Sequence, residues 1–362
     1  MTGAGAEVRQ EVCQEVRQEV RQEVRQEVLT GVTLPSGRRL PRVELPYTLS
    51  GVPAPDGSNV AVLFHSLTGD LHPEAWWPTL VAPGGVLDPA RWAILTPALY
   101  GGGALPWDEA TMGDAPTLRD AVHLVGALLD RLGIQRPGLV AGGSVGGMAA
   151  LEWAASFPER AEVVVVLAAP AAHTAHGIGF NRVQRRALEL GGAEEGLALA
   201  REIAMLTYRT PGELEARFGR DRRGDGVFQA ASWLEHHGRK LVTRLDPAAY
   251  LRLLHAMDAH DVGEGRGGTA AALRAFRGRL VGVGVEGDFL YPPEEVARWV
   301  EAAGGEYRAI RSIHGHDAFL LEEAQVAGIL EEALDAPGLG AGVGPAVEDP
   351  RHKGPRVEWG AA

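Results

Sequence analysis

One cysteine, Cys13, stands in a chain of 362 residues. A lone thiol excludes an intramolecular disulfide and any metal site built on cysteine pairs. It also fits a reducing compartment. No apolar run approaches the roughly 18 residues that a membrane span needs. The N-terminus lacks the basic-then-apolar order of a secretory signal. The expected setting is therefore the cytoplasm, with no membrane partner. Positive charge is also in short supply, with 35 Lys and Arg against 47 Asp and Glu and a formal net charge of −12. That balance argues against a nucleic-acid partner, which calls for clustered cations. No metal and no bound cofactor is implied. What remains is ordinary globular material, 45% hydrophobic and 23% charged, with ample apolar content for a core.

The chain divides by pattern. Residues 7–28 repeat Glu-Val-Arg/Cys-Gln every four positions. On an α-helix a four-residue step advances about 400°, so Val8, Val12, Val16, Val20, Val24 and Val28 would drift about 40° per repeat instead of forming a seam. Residues 1–33 are accordingly expected to be a low-complexity, helix-prone extension outside the catalytic domain. A core is expected over 34–170 and again over 264–335, interrupted by a helical cap over 171–263. The Gly- and Pro-rich stretch 336–362 reads as a disordered tail.

Within the core, strand-like runs alternate with helical periodicity. Residues 38–50, 59–64, 92–96, 161–168, 279–285 and 307–310 carry strand character, and 117–132, 148–156, 293–303 and 317–334 carry helical spacing. The β-branched run ending at Leu167 suits a strand buried on both faces. Alternation of this kind predicts an α/β fold, a mostly parallel sheet flanked by helices with a helical cap insertion. In such sheets ligands bind at the carboxyl ends of the strands.

One of those ends carries chemistry. The apolar run from Leu139 leads into Gly142-Gly143-Ser144-Val145-Gly146, followed by an Ala-rich helical stretch. Strand, sharp turn and helix are the setting in which G-x-S-x-G makes an exposed nucleophile. A serine hydroxyl needs a base within hydrogen-bond reach, and the base needs an orienting carboxylate. Both follow in chain order on later post-strand loops. Asp288 is the candidate carboxylate, with Glu286 its rival, and His316 is the candidate base, with His314 its rival. An oxyanion would be held by the N–H of Val145, the residue after the nucleophile. A second N–H is expected from His65-Ser66-Leu67-Thr68-Gly69, the loop after an early strand, with Leu67 the chosen donor.

With these segments in place the chain resembles the homoserine O-acetyltransferase family of α/β-hydrolase-fold acyltransferases, over about residues 34–334. The likeness rests on Phe64 to Asp70, Ala75-Trp76-Trp77, Leu132-Gly133-Ile134, Gly142 to Met148 and Leu151-Glu152-Trp153-Ala154. In the cap it rests on Phe180 to Ala187, Gly196 to Arg201, Phe228-Gln229 and Ala256 to Asp261. The resemblance implies a Ser144–His316–Asp288 triad, with acetyl-CoA as co-substrate and homoserine as acceptor, in methionine biosynthesis. It implies that Arg201 and Tyr208, seven apart on a cap helix, and Asp317 contact the amino acid. An arginine suits a carboxylate and an aspartate suits an α-ammonium. Members of the family are commonly homodimers. This chain departs from the family at Val145, where Met is usual, and at Ala149, where Gln is usual. It departs again over Ala98 to Ala104 and in a shortened cap segment, Leu188 to Glu195. These departures fall around the acceptor pocket and the CoA approach, so succinyl-CoA, another hydroxyl acceptor, or plain serine-hydrolase chemistry on the same fold stay open. A non-catalytic paralogue is a further alternative, against which the intact Ser, Asp and His stand.

Overall fold

The computed structural model describes residues 22–99 and 117–335. The first 21 residues, the divergent stretch from Tyr100 to Ala104 and the tail 336–362 lie outside the described residues.

Among the described residues eight strands form one sheet: β1 (Arg25–Thr33), β2 (Arg39–Ser50), β3 (Val60–Phe64), β4 (Ala93–Pro97), β5 (Leu139–Gly143), β6 (Val163–Leu167), β7 (Arg279–Val285) and β8 (Glu306–Ile310). Their order is β1-β2-β4-β3-β5-β6-β7-β8. β1–β2 and β2–β4 are antiparallel, and every pairing from β4 to β8 is parallel. The helices, in chain order, are α1 (Pro73–Trp76), α2 (Leu118–Arg131), α3 (Val145–Ser156), α4 (Ala175–Gly191), α5 (Leu197–Tyr208), α6 (Pro211–Phe218), α7 (Gln229–Val242), α8 (Pro247–Asp258), α9 (Thr269–Arg274), α10 (Pro293–Ala303), α11 (Ala318–Leu321) and α12 (Glu323–Leu334). This is the expected α/β arrangement.

The central strands are apolar at every position because both faces are covered. Val60, Val62, Phe64, Val140, Val164 and Val166 join one buried cluster. Ala61, Leu63, Leu139, Ala141, Val163, Val165 and Leu167 join the other. Register then brings the strand ends level. Phe64 pairs with Gly142, Gly143 with Leu167 and Val285 with Ile310. The loops that follow therefore open along one edge, and they carry Leu67, Ser144, Asp288 and His316.

Three boundaries differ from expectation. The domain does not start at residue 34, because Arg25–Thr33 is a strand paired along its length with β2. A four-residue repeat is also a multiple of two, so it does not forbid a strand, and the repeat gives way to Leu29-Thr-Gly-Val-Thr. Leu29 is buried, and Glu27 meets Arg131 of α2 at 3.1 Å. Helical periodicity over Ala193 to Leu206 predicts a helix there, but the segment begins with one π-helical turn, Gly192–Gly196, that joins α4 to α5. The shortened cap segment, Leu188 to Glu195, spans the end of α4 and most of that turn. The expected helix 317–334 breaks at Glu322, whose side chain is followed by a new helical start. All helices from α4 to α8 lie between β6 and β7. Their two ends are stitched together by an Ala172–Asp261 bridge and by the His173 N–H, which donates to the His260 carbonyl at 2.8 Å.

The elbow depends on a close backbone approach at Gly146. A Cβ there would collide with the Phe64 carbonyl oxygen and come within 2.8 Å of that of His65. Both are backbone atoms that cannot swing away. Gly146→Ala is expected to destabilise by ~1–3 kcal/mol or more. Gly328→Ala, on α12 with open space around it, is expected to stabilise by roughly 0.5–1 kcal/mol through helix propensity. Urea denaturation midpoints of the two variants should move in opposite directions.

Candidate active site

Ser144 stands at the turn between β5 and α3 with φ 58° and ψ −124°. This region is costly for a residue with a side chain, of order 1–3 kcal/mol. Two backbone hydrogen bonds fix it. Its N–H donates to the Leu167 carbonyl at 2.9 Å, and its carbonyl accepts the Met148 N–H at 2.9 Å. Gly143 beside it lies against the Phe319 ring, where any Cβ would overlap ring carbons. Phe319 follows the histidine loop, so this contact sets the loop against the elbow. Trp77 completes the clamp: it is fully buried and its indole N–H donates to the Phe319 carbonyl at 2.9 Å.

The geometry that results is a linear one. His316 Nε2 lies 2.9 Å from Ser144 Oγ, and Nδ1 lies 2.7 Å from Asp288 Oδ2. A neutral imidazole satisfies both contacts by donating from Nδ1 to the carboxylate and accepting the serine proton at Nε2. Asp288 Oδ1 accepts the N–H groups of Leu290 at 2.9 Å and Tyr291 at 3.0 Å, so both its oxygens are engaged. All three side chains are buried. The rivals point elsewhere: Glu286 pairs with Arg311 at 3.1 Å in solvent, and His314 sits 3.0 Å from Glu213.

Burial alone would push the His316 imidazole towards its neutral form. The Asp288 charge and hydrogen bond, helped by Asp317, outweigh burial and hold its pKa above the ordinary histidine value.

Val145 opens α3, so its N–H has no intrahelical acceptor. The loop with Leu67 is buckled by His65. That imidazole is fully buried, accepts the Leu99 N–H at Nε2 (3.1 Å) and lies 2.9 Å from the Ser66 carbonyl through Nδ1. Burial lowers its pKa, despite the opposing Ser66 bond, so it acts as a neutral brace. Leu67 is buried on that loop, and the loop's first carbonyl packs on Gly146 of the elbow.

The three residues expected to hold an amino acid also converge here. Arg201 donates to Thr68 Oγ1 at 3.3 Å, and its guanidinium lies 5.5 Å from the Tyr208 ring centre. The Tyr208 ring in turn lies 5.5 Å from that of His316. Burial pushes the Tyr208 phenol up to about 12, with Arg201 only partly opposing, so it stays a neutral donor. Asp317 is next to His316 in sequence and pairs with Arg209 at 3.0 Å. The departures Val145 and Ala149 are both fully buried on α3.

No protein-family model matches the chain. Individual relatives do. A homoserine O-acetyltransferase of Clavibacter michiganensis is 38% identical over 354 residues, covering 85% of this chain and 91% of its own. One from Thermus thermophilus is 39% identical over 340 residues, covering 83% and 87%. The crystal structure of a homoserine O-acetyltransferase from Staphylococcus aureus superimposes with a TM-score of 0.75 at 26% identity, covering 88% of this chain and 97% of that one. The chain belongs to the homoserine O-acetyltransferase family. Its fold is that of the α/β hydrolases, and the chemistry of the family is acyl transfer.

Family-like segments outside the triad acquire a physical role. Asp258 of the Ala256–Asp261 stretch accepts Asn181 at 2.8 Å, an ion pair from Arg185, and His173 Nδ1 at 3.2 Å. His173 Nε2 then receives the Tyr291 hydroxyl at 3.0 Å. The Tyr291 ring stands edge-on to His316 with centroids 5.2 Å apart. A buried chain thus runs from the cap's last helix to His316. Sequence reading missed His173, Tyr291 and Arg209, since nothing in their spacing relates them to the triad. The only signal was the nearness of Tyr291 to Asp288 and of Arg209 to Tyr208.

The raised His316 pKa has a kinetic consequence. A base must be unprotonated to accept the serine proton, and a raised pKa postpones that to higher pH. The rate of Ser144 acylation is expected to fall as pH drops, with an apparent pKa above about 6.5. Asp288→Asn should lower the rate by roughly 10⁴-fold. Burst kinetics with p-nitrophenyl acetate across pH would check both. Tyr291→Phe leaves His173 Nε2 without its donor, and should cost ~1–3 kcal/mol of stability in thermal unfolding.

Proposed function

We propose that this chain transfers an acetyl group from acetyl-CoA to the hydroxyl of L-homoserine through an acyl-enzyme on Ser144. The observation that carries the reading is the meeting of two kinds of group. A Ser144–His316–Asp288 hydrogen-bonded line lies beside Arg201, Tyr208 and Asp317, a cation, a hydroxyl and a carboxylate suited to a zwitterionic amino acid. A simple ester hydrolase has no need of the second set.

The steps follow from the geometry. His316 Nε2 takes the Ser144 proton as Oγ attacks the thioester carbonyl. The oxyanion is received by the N–H groups of Val145 and Leu67. Collapse breaks the C–S bond, and the protonated His316 returns its proton to the leaving sulfur. The acceptor hydroxyl then gives its proton to His316 and attacks the acyl carbonyl, and Ser144 leaves with that proton. Asp288 holds the tautomer and stabilises the imidazolium throughout. Arg201 receives the acceptor carboxylate, Tyr208 donates to it, and Asp317 takes the ammonium. Water can discharge the same intermediate, so transfer depends on acceptor binding outpacing hydrolysis.

Acetyl-CoA and homoserine are substrates, with no cofactor to be retained between turnovers. The setting we infer is cytoplasmic, in line with a single cysteine, and the assembly a homodimer. Among the described residues no helix is long and apolar enough to cross a membrane.

The test is mass spectrometry of products after incubation with acetyl-CoA, succinyl-CoA, homoserine and serine together. O-acetylhomoserine is expected as the main product. CoA release at the same rate without any acceptor would replace transfer by hydrolysis. Ser144→Ala should reduce acceptor-dependent CoA release by roughly 10⁴-fold or more.

A further inference from the structure

Arg209, the first residue beyond α5, lies between two carboxylates. Its Nη1 is 2.8 Å from Glu213 Oε1, and its Nη2 is 3.0 Å from Asp317 Oδ2. All three side chains are mostly shielded, with relative exposures of 12% for Arg209, 7% for Glu213 and 15% for Asp317. Glu213 also meets His314 at 3.0 Å. The groups come from two parts of the fold. Arg209 and Glu213 belong to the cap, at the end of α5 and the first turn of α6, while Asp317 belongs to the loop that carries His316. Thr210 pins these parts together. Its hydroxyl donates to the Ile313 carbonyl at 2.6 Å and accepts the Glu213 N–H at 3.0 Å.

Glu213 and Asp317 share one guanidinium in a shielded place, and His314 stands beside Glu213. Buried charge is tolerated only when paired, and the ion pair that Asp317 makes is with Arg209. Contact with Arg209 uses Asp317 Oδ2 and leaves Oδ1 for a further donor. Burial pushes the Asp317 carboxyl up, and Arg209 is the largest opposing influence, ahead of His316 and Arg201, with Glu213 adding to the rise. Tyr208 also faces it.

We propose that Arg209, anchored by Glu213, is a positioning residue that holds the Asp317 carboxylate for the acceptor's ammonium group, and so sets the preference for an amino alcohol acid over the same hydroxy acid without its amine. This rests on the reading of Ser144 chemistry as transfer to homoserine. It extends that reading from the residue that touches the acceptor to the pair behind it.

The experiment compares homoserine with 4-hydroxybutyrate, its amine-free counterpart, as acceptors with acetyl-CoA as donor. The readout is the ratio of kcat/KM for the two acceptors in the wild type, Arg209→Met, Arg209→Lys and Glu213→Gln. The wild type should favour homoserine. Arg209→Met should lose roughly 10- to 100-fold of that preference, the scale of a charge-assisted hydrogen bond, mainly through KM for homoserine. Arg209→Lys keeps one charge and should recover part of it. Glu213→Gln should show a smaller loss in the same direction, and it carries the test if Arg209→Met does not fold. Full wild-type preference in Arg209→Met, or in Glu213→Gln where Arg209→Met fails to fold, overturns the role of Arg209 while leaving transfer intact. A wild type that acetylates neither acceptor overturns the transfer reading itself. One that uses both equally overturns the ammonium site.

Discussion

Ser144 is held in a backbone conformation it would not choose, and most of the fold around it serves that constraint. The positive φ lifts Oγ above the carboxyl end of β5. It persists because its N–H is tied to β6 and its carbonyl to the first turn of α3. It also needs α3 to approach β3 so closely that only a glycine fits at position 146. Strain at a functional site survives only where the surroundings over-determine it. Here a fully buried sheet, apolar on both faces, does so.

The histidine loop is aligned to that fixed point by packing first and hydrogen bonding second. Phe319 fits the bare face of Gly143, and Trp77 holds the Phe319 carbonyl. His316 is then within reach of Ser144 before any proton moves. The cap adds polar order around the triad. Asp258 and His173 lead by hydrogen bonds to Tyr291, whose ring stands against His316, and Glu213 and Arg209 form a second cluster with Asp317, the neighbour of His316 in sequence. Buried polar groups of this kind are stable only when each has its partner. These bonds tie the cap to the loops that carry Asp288 and His316.

Much of this was legible in the residues. G-x-S-x-G after an apolar run, then Asp288 and His316 on later post-strand loops, carried the triad, because each sits where a strand ends. The central strands were readable since burial on both faces leaves continuous apolar runs. The edge strand β1 was not. Its repeat has a period compatible with helix and strand alike, and only pairing with β2 decides between them. The break at Glu322 and the π-helical turn at Gly192–Gly196 are tertiary choices made within segments of sound helical spacing. The braces were hidden for another reason. His173 and Tyr291 are 118 positions apart, and Arg209 and Asp317 are brought together by cap docking, so no local pattern links them.

The most direct measurement is the mass of the intact protein, with peptide mapping, after brief mixing with acetyl-CoA. The expected result is one acetyl group on Ser144, discharged rapidly on adding homoserine and slowly in water alone, and absent from Ser144→Ala. Acetylation at another residue, or turnover that proceeds with Ser144 never modified in rapid-quench samples, would contradict the role given to the elbow.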